Sequence, residues 1–328
     1  MKDRGKYCAL KFESVFAVWA RDYIAQNRAL GYKYNFDAEY LMQFDDYCVR
    51  LKVETPALTT DLLDGWCEKR AYETDTSQHI RIRVLRRFSR FLHDNGVEAP
   101  SKFHPLPHVS KTFEPYIFTR DEISRFLAAA DEIEGNAHSP LAHLVMPLLF
   151  RMLYCCGLRL SEALCLKNED VDLNDRTLRI MDAKGGKDRF VPMSGSLTRL
   201  CVSYRSDREV AGFGSEYFFP STDRGRYSSA TIYTRYRKIL WSAGISHGGR
   251  GKGPRLHDLR HTFAVHTLDN WAASGKDLYV ALPILSTYLG HKTIYETQSY
   301  LRLVPGAHAA LTQTFERGFG SVFPGVAP

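Results

Sequence analysis

The sequence of 328 residues has little that would mark a secreted, membrane-spanning or fibrous protein. Its seven cysteines are an odd number and scattered, which argues against a disulfide framework and for reduced thiols. The charged N-terminus is followed by no apolar run of signal length. The most apolar segment, 141–158, contains Pro147 and Arg151 and is typical of a buried helix. We therefore expect a cytoplasmic protein without a membrane partner.

Two patterns that would indicate a cofactor are incomplete. The glycine-rich stretch 246–253 is not a Walker-type nucleotide loop, because Lys252 is followed by Gly253 rather than by serine or threonine. His257 and His261 have the i, i+4 spacing of zinc ligands. The glutamate of the His-Glu-x-x-His pattern and a third ligand at useful spacing are missing, however. We therefore expect neither a metal nor any other cofactor.

The charge balance favours polyanionic partners. Lysine and arginine number 44 against 37 acidic residues, a net charge of +7. The excess is concentrated in segment 77–93, where five arginines fall within ten residues without an intervening acid. Such a helix face is either simply solvated or contacts phosphates, and we favour the second interpretation. The residues concerned are Arg81, Arg83, Arg86, Arg87 and Arg90.

Composition divides the chain into two domains. Apolar periodicity predicts four helices in the N-terminal part, the third capped by Thr60 or Asp61 and the fourth spanning about 77–93. Four prolines then fall within 97–115, which predicts an extended, mildly basic connection. We expect an N-terminal helical domain over 1–98, a linker over 99–117 and a second domain with a C-terminal tail over 118–328.

In the second domain, Arg159 lies between two predicted helices. The first is the buried helix that ends near Gly157, and the second carries Glu162, whose carboxylate can hold the Arg159 guanidinium. A β-hairpin follows, with strands over 177–181 and 189–192. Its glycine-rich turn contains Lys184 and Lys187, and a lysine in such a turn is ordinarily just solvated.

The stretch 254–301 organises the rest of the domain. Leu256, Leu259 and Phe263 are spaced as one apolar face of a helix. His257 and Arg260 repeat the spacing one residue later, at the border of that face. A histidine and an arginine one turn apart can both reach one anion.

The end of this stretch predicts a break between two helices. Gly290 is a natural helix stop, and it precedes His291. The residues from Thr293 to Glu296 resemble a capping box that begins a short helix, which Pro305 ends. We expect Tyr300 in the last turns of that helix, although any single tyrosine among 18 is most often a packing residue.

These motifs together resemble the tyrosine recombinase (phage integrase) family. The resemblance rests on Gly-Leu-Arg159-Leu-Ser-Glu, His257-x-x-Arg260, Leu-Gly-His291 and Tyr300 nine residues further on. It covers about 118–302 well and the N-terminal part more loosely. It implies a mainly α fold with a small β-hairpin or sheet. The N-terminal part would be a helical, SAM-like core-binding domain, followed by the α+β catalytic domain of the family.

The resemblance also implies a mechanism. Tyr300 would attack a DNA phosphate and form a 3′-phosphotyrosyl link. Arg159 and Arg260 would bind the non-bridging oxygens as two charged forks. His257 would act as general base and acid near its natural pKa, and His291 would donate a hydrogen bond. Lys184, aligned with the family's mobile hairpin lysine, would protonate the departing 5′ oxygen, with Lys187 the lesser candidate.

The partner so implied is double-stranded DNA with paired half-sites, so the protein would be nucleoid-associated. A dimer would bind one site and a homo-tetramer would carry out exchange, with or without accessory DNA-bending factors. Beyond Arg83, Arg86, Arg87 and Arg90, we expect DNA contacts from Lys111, Lys187, Arg235, Arg250 and Lys252. The apolar tail after Pro305 either folds back on its own domain or, as the resemblance favours, joins protomers.

The function so predicted is a site-specific DNA recombinase that integrates, excises or resolves DNA. A type IB topoisomerase that relaxes DNA with related groups is the nearest mechanistic alternative. A non-catalytic DNA-binding regulator on the same scaffold is the alternative from another class. The presence of a nucleophile such as Tyr300 argues against this regulator, because a protein that only binds DNA does not require one.

Overall fold

The computed structural model describes residues 11–100, 103, 105–108, 114–181, 188–249 and 253–304. The chain separates into two compact units, 1–113 and 114–328. Among the described residues, no helix is long and apolar enough to cross a membrane.

The first unit is a bundle of four helices in which α4 packs against the other three. Phe16, Phe44, Trp66 and Phe88 are buried at its centre. The side chain of Thr59, not of Thr60 or Asp61, accepts the hydrogen bond that caps the third helix. The helices are α1 (Ala17–Ala29), α2 (Asn35–Arg50), α3 (Thr60–Cys67) and α4 (Asp75–Asp94).

Arg81 corrects the interpretation of the α4 arginines. Its side chain is fully buried, and its guanidinium binds the Glu73 carboxylate at 2.6 Å. It also donates to the backbone carbonyl oxygens of Trp66 and Glu68. The sequence shows no acidic residue among these arginines, so all five fall into one group. The acidic partner of Arg81 is Glu73, which precedes the helix in sequence and contacts it in the structure. Arg81 therefore stabilises the bundle and is not available to phosphates.

The second unit surrounds α6, a helix whose side chains are buried on almost every side. Its helices are α5 (Arg120–Asp131), α6 (Ala142–Cys155), α7 (Leu160–Cys165), α8 (Gly195–Val210), α9 (Ser229–Ser242), α10 (Asp258–Ala273), α11 (Leu278–Leu289) and α12 (Ile294–Gln298). Two 3-10 turns cover Asn168–Asp170 and Leu301–Leu303. The strands are β1 (Val171–Asp172), β2 (Thr177–Ile180) and β3 (Arg189–Pro192).

The three strands form one antiparallel sheet in the order β1-β2-β3. Leu178 pairs with Val191, and both side chains are buried toward the helices. The sequence predicted β2 and β3, whereas β1 was missed because two residues carry no readable alternation. The predicted class, mainly helical with a small sheet, is confirmed.

The region between α11 and Tyr300 differs in detail from the prediction. Gly290 ends α11 in the left-handed conformation at φ +65°, as expected of a helix stop. The side chain of Thr293 makes no capping hydrogen bond, so the expected capping box does not form. Helix α12 ends at Gln298, before Tyr300, instead of continuing to Pro305. Tyr300 therefore begins the last 3-10 turn, where its backbone N–H donates to the Thr297 carbonyl oxygen.

Candidate active site

Arg159 is held at the start of α7 by local contacts. Glu162 accepts from the Arg159 backbone N–H at 2.9 Å and from its Nη1 at 2.7 Å. This confirms the prediction that Glu162 fixes the Arg159 guanidinium. The preceding turn needs Gly157, at φ +57°, because an added Cβ would lie 2.5 Å from the Phe263 ring. The protein's own contacts thus fix the orientation of the Arg159 guanidinium.

The same carboxylate is bound by Arg189, which the sequence analysis missed. Nη1 and Nη2 of Arg189 lie 2.9 and 2.8 Å from the two Glu162 oxygens, and Nε donates to the Tyr288 carbonyl oxygen at 2.9 Å. Both side chains are buried, at 9% and 4% exposure. The signal was present, because strand alternation puts Arg189 on the same inward face as Val191. An arginine at an inward strand position requires a buried acidic partner.

Burial opposes ionisation of Glu162, but the hydrogen bonds from Arg189 and Arg159 outweigh it and lower its pKa to about 2. The carboxylate is therefore fully ionised at neutral pH.

Arg260 lies deeper than the sequence suggested. Its side chain on α10 is 1% exposed, and its two terminal nitrogens donate to the carbonyl oxygens of Gly157 and Leu289. Arg159 also donates to a carbonyl in this region, that of Gly290, at 3.2 Å. Burial and the nearby Arg159 charge lower the pKa of Arg260 to about 10, so it is still a cation at neutral pH. The carbonyls of Gly157, Leu289 and Gly290 thus hold the guanidinium groups of Arg159 and Arg260 near one another.

The histidines of the motifs are less basic than expected. Partial burial, with the charges of Arg260 and Arg159, lowers the pKa of His257 to about 4. The same causes lower the pKa of His291 to about 3, while its Nδ1 lies 2.7 Å from the Thr297 hydroxyl. The expectation of a His257 pKa near its natural value is therefore wrong for the protein without DNA. Burial and the two arginines both favour the neutral ring.

Tyr300 is buried at 4% exposure, and its hydroxyl lies 2.7 Å from Nδ1 of His261. Its ring is also near that of His291, with centroids 6.2 Å apart. Burial raises the pKa of Tyr300 to about 12, although Arg260 and Arg159 act to lower it. The tyrosine is therefore protonated at neutral pH. From the sequence, His261 is a candidate only for metal binding, and the structure assigns it a different contact.

Several predicted residues lie outside the described part of the chain. They are Lys184 and Lys187 of the hairpin turn, Lys111, Arg250, Lys252 and the tail from residue 305. Arg235 is described, and it is partly exposed on α9. Within the ranges that the structure describes, no group of three or more histidine, cysteine or acidic side chains could hold a metal ion.

In the first unit, the remaining α4 arginines differ in exposure. Arg87 and Arg90 are exposed, whereas Arg83 and Arg86 are partly buried. Arg86 stacks over the Phe103 ring with its guanidinium carbon 5.7 Å from the ring centre. A surface groove in this unit is lined by Tyr23, Arg86, Arg87, Ser89, Arg90, His93, Asp94, Pro100 and Phe103.

Comparison with known proteins finds a matching family model and relatives named as integrases and recombinases. The phage integrase family model matches residues 117–305. A Sinorhizobium fredii protein whose name describes it as an integrase/recombinase, y4rB, is 32% identical over 93% of this chain and 98% of its own length. Tyrosine recombinase XerD of Caulobacter vibrioides is 32% identical over 70% of this chain and 71% of its own length.

Two solved structures show the same fold. One is the XerH site-specific recombinase bound to a palindromic difH substrate in a post-cleavage complex. It has a TM-score of 0.60 and 22% identity, and the match covers 81% of this chain and 75% of that one. The other is a lambda integrase dimer (residues 75–356) bound to a COC′ core site. Its TM-score is also 0.60 with 18% identity, and the match covers 86% of this chain and 94% of that one.

Proposed function

The chain belongs to the phage integrase family, and on that premise we propose that it cuts and rejoins duplex DNA through a covalent link to Tyr300. The observation that carries the proposal is a juxtaposition. Two guanidinium groups, those of Arg159 and Arg260, are fixed around the carbonyls of Gly157 and Gly290, and both act on the pKa of the buried Tyr300 hydroxyl. A nucleophile beside two fixed cations suits attack on a phosphodiester.

The chemistry follows from the charge of the substrate. A DNA phosphodiester is shielded by its own negative charge, and attack without a metal requires positive donors on both non-bridging oxygens. Arg159 and Arg260 supply these donors, and His257 and His291 add hydrogen bonds at the edge of the same site. Tyr300 Oη forms a bond to phosphorus while the bond to O5′ breaks. The Tyr300 proton passes to a neighbouring imidazole, the general-base role that the resemblance gives to His257, and Lys184 gives O5′ its proton. The 3′-phosphotyrosyl link conserves the bond energy, so rejoining needs no nucleotide.

The test uses DNA recovered from the sequence that flanks the gene, searched for inverted repeats about a short spacer. A nicked substrate made from this site traps the covalent adduct because the released fragment diffuses away. The wild-type chain should form the adduct in excess chelator and without nucleotide, whereas Tyr300→Phe should bind the DNA and form none. The matched control is Tyr295→Phe, because Tyr295 is 76% exposed on α12.

The outcomes distinguish the functions. An adduct that survives in Tyr300→Phe and disappears in Tyr295→Phe would move the nucleophile. A strict requirement for magnesium in the chemical step would contradict the mechanism. DNA binding by the wild-type chain without any adduct would favour the regulator. Relaxation of supercoiled DNA without strand exchange between two sites would favour the topoisomerase.

Assembly on DNA is part of the proposal. Lambda integrase has been solved as a dimer on a core site and as a tetramer on a Holliday junction. We infer that this chain binds one site as a dimer and forms a tetramer during exchange. Accessory DNA-bending factors are compatible with this assembly. We also propose that the tail after Pro305 is passed to a neighbouring protomer. Truncation after Gly306 should leave binding to one half-site intact and abolish cooperative occupancy of the full site. Full recombination by the truncated chain would contradict the shared tail.

A further inference from the structure

The Tyr300 hydroxyl is hydrogen-bonded to a side chain outside the predicted catalytic set. His261 Nδ1 lies 2.7 Å from it, and the two ring centroids are 5.5 Å apart. His261 follows Arg260 on α10, so the residue that contacts the nucleophile is adjacent in sequence to one that faces the phosphate site. The ring of His257, the residue predicted as base, packs edge-on against His261 with centroids 4.7 Å apart.

The environment determines which atom carries the proton. The groups that act on the His261 ring are His257, Arg255 and Arg260 from its own segment and His291 from the end of α11. Burial, together with these groups, lowers the pKa of His261 to about 3, so the ring is neutral. Since Tyr300 keeps its proton, its hydroxyl donates and Nδ1 accepts, which requires the other ring proton on Nε2.

We propose that His261 is the proton acceptor for DNA cleavage. As Tyr300 Oη bonds to phosphorus, its proton passes to His261 Nδ1, the bond between phosphorus and O5′ breaks, and O5′ takes a proton from Lys184. In rejoining, the O5′ hydroxyl returns its proton to Lys184 as it attacks phosphorus, the bond between phosphorus and Tyr300 Oη breaks, and the imidazolium returns its proton to Oη. The inference rests on the proposed function, since it assigns a step to the same site.

Electrostatics favour this step only when DNA is bound. In the free protein, a charged His261 would be repelled by Arg260 and Arg255. A phosphodiester between the arginines brings a negative charge that offsets this repulsion, so the imidazolium costs less free energy in the complex. The proton is therefore retained by Tyr300 until the substrate is in place.

The discriminating variant is His261→Asn. The asparagine amide can occupy the region of Nδ1 and keep a hydrogen-bond acceptor there, but it cannot accept a proton at neutral pH. We expect adduct formation on the nicked substrate to be slower by about 10²-fold or more at pH 7, the usual contribution of a general base. The deficit should shrink about tenfold per pH unit toward pH 9.5, as the tyrosinate fraction rises. DNA binding, measured by mobility shift, should be unchanged.

The matched control is His266→Asn. His266 lies on the same helix, and its Nδ1 is 2.9 Å from the Tyr154 hydroxyl, so the variant removes the same type of contact away from the site. It should cleave at the wild-type rate. A substrate with sulfur in place of the bridging 5′ oxygen, which leaves without protonation, should restore cleavage to Lys184→Ala but not to His261→Asn.

Four results would overturn the inference. Cleavage by His261→Asn at the wild-type rate would mean that the hydrogen bond to Tyr300 is dispensable. Faster cleavage would mean that this hydrogen bond restrains the Tyr300 hydroxyl. A deficit that is constant with pH would make His261 a positioning residue only. Restoration of His261→Asn by the sulfur substrate would shift its role to the leaving group. If His261→Asn does not fold, His261→Gln is measured with the same pH series. Failure of the wild-type chain to form any adduct would instead contradict the proposed function.

Discussion

Arg189 binds both carboxylate oxygens of Glu162, and that carboxylate also binds Arg159. The contact joins strand β3 to the start of α7, and the Arg189 bond to Tyr288 adds the end of α11. These segments carry or adjoin three predicted catalytic groups, Arg159, His291 and the hairpin lysine. We infer that Arg189 is a positioning residue, because its guanidinium holds together segments that carry groups proposed to contact the substrate.

Arg189→Lys should weaken both stability and cleavage. A lysine has its three donors on a single nitrogen and lacks the planar fork that reaches both Glu162 oxygens and the Tyr288 carbonyl, so Glu162 would be left partly unpaired in a buried position. Disrupting a buried ion pair typically costs about 3–5 kcal/mol of the free energy of unfolding. Because lysine keeps the positive charge, we expect a loss at the lower end of this range. Urea unfolding followed by tryptophan fluorescence measures the stability, and the nicked substrate measures the rate.

The control for this prediction is Arg179→Lys on the neighbouring strand. Arg179 is paired with Asp170 at 3.1 Å, but its side chain is 44% exposed. The Asp170 side chain is buried at 8% exposure, but Arg179 is largely open to solvent and lysine keeps its charge. The change should therefore cost about 0–1 kcal/mol and leave cleavage near wild type. Equal losses in the two variants would mean that any disturbance of the hairpin has the effect attributed to Arg189.

The Glu162 pKa predicts how acid affects stability. Its folded value of about 2 lies below the unfolded value of roughly 4.3, so its contribution is complete above about pH 5. That contribution is lost as the pH falls through the range toward 2. Glu162→Gln should therefore be less stable than wild type at pH 7, and the difference should narrow by pH 3. A difference that is constant between pH 7 and pH 3, measured by urea unfolding, would contradict the low pKa.

Arg260→Lys should reduce cleavage by about 10²- to 10³-fold, the usual cost of losing one transition-state donor. An ammonium group cannot replace a fork that is aligned by the carbonyls of Gly157 and Leu289. The control is Arg151→Lys on α6, where the arginine binds Asp131 away from the site. Single-turnover adduct formation is the measurement, and near-normal cleavage by Arg260→Lys would contradict the role of its fork.

The exposed arginines of α4 should contribute to DNA affinity through phosphates. Replacing Arg87 and Arg90 by alanine should weaken binding and flatten its salt dependence, by up to about 0.9 in log–log slope for each phosphate that is no longer neutralised. Arg28→Ala, an exposed change on α1, is the control and should leave the slope unchanged. An unaltered slope in the double variant would mean that this face of α4 is only solvated.

Arg81→Ala should affect stability, unlike the Arg87 and Arg90 double variant and the Arg28→Ala control. Because Arg81 is buried against Glu73, its removal should lower the free energy of unfolding and leave the salt slope of the folded fraction unchanged. A flattened slope with unchanged stability would instead support a direct interaction of Arg81 with phosphates.

The sequence by itself determined the features that depend on neighbouring residues. Helix periodicity, the Gly290 stop and the pairing of Arg159 with Glu162 three positions away all follow from the geometry of one helical turn. The motif order around His257 and Tyr300 was enough to indicate the family. Each of these requires only short-range spacing, which is visible before the chain folds.

Only the tertiary structure decided the contacts between distant segments. Arg260 reaches a carbonyl 103 positions away, and His261 reaches the Tyr300 hydroxyl 39 positions away. The burial of Arg189 and the low pKa of the histidines arise from how α7, α10, α11 and β3 pack around one small space. Such distances and charges depend on the path of the whole chain, because packing, unlike periodicity, brings together residues that no local pattern relates.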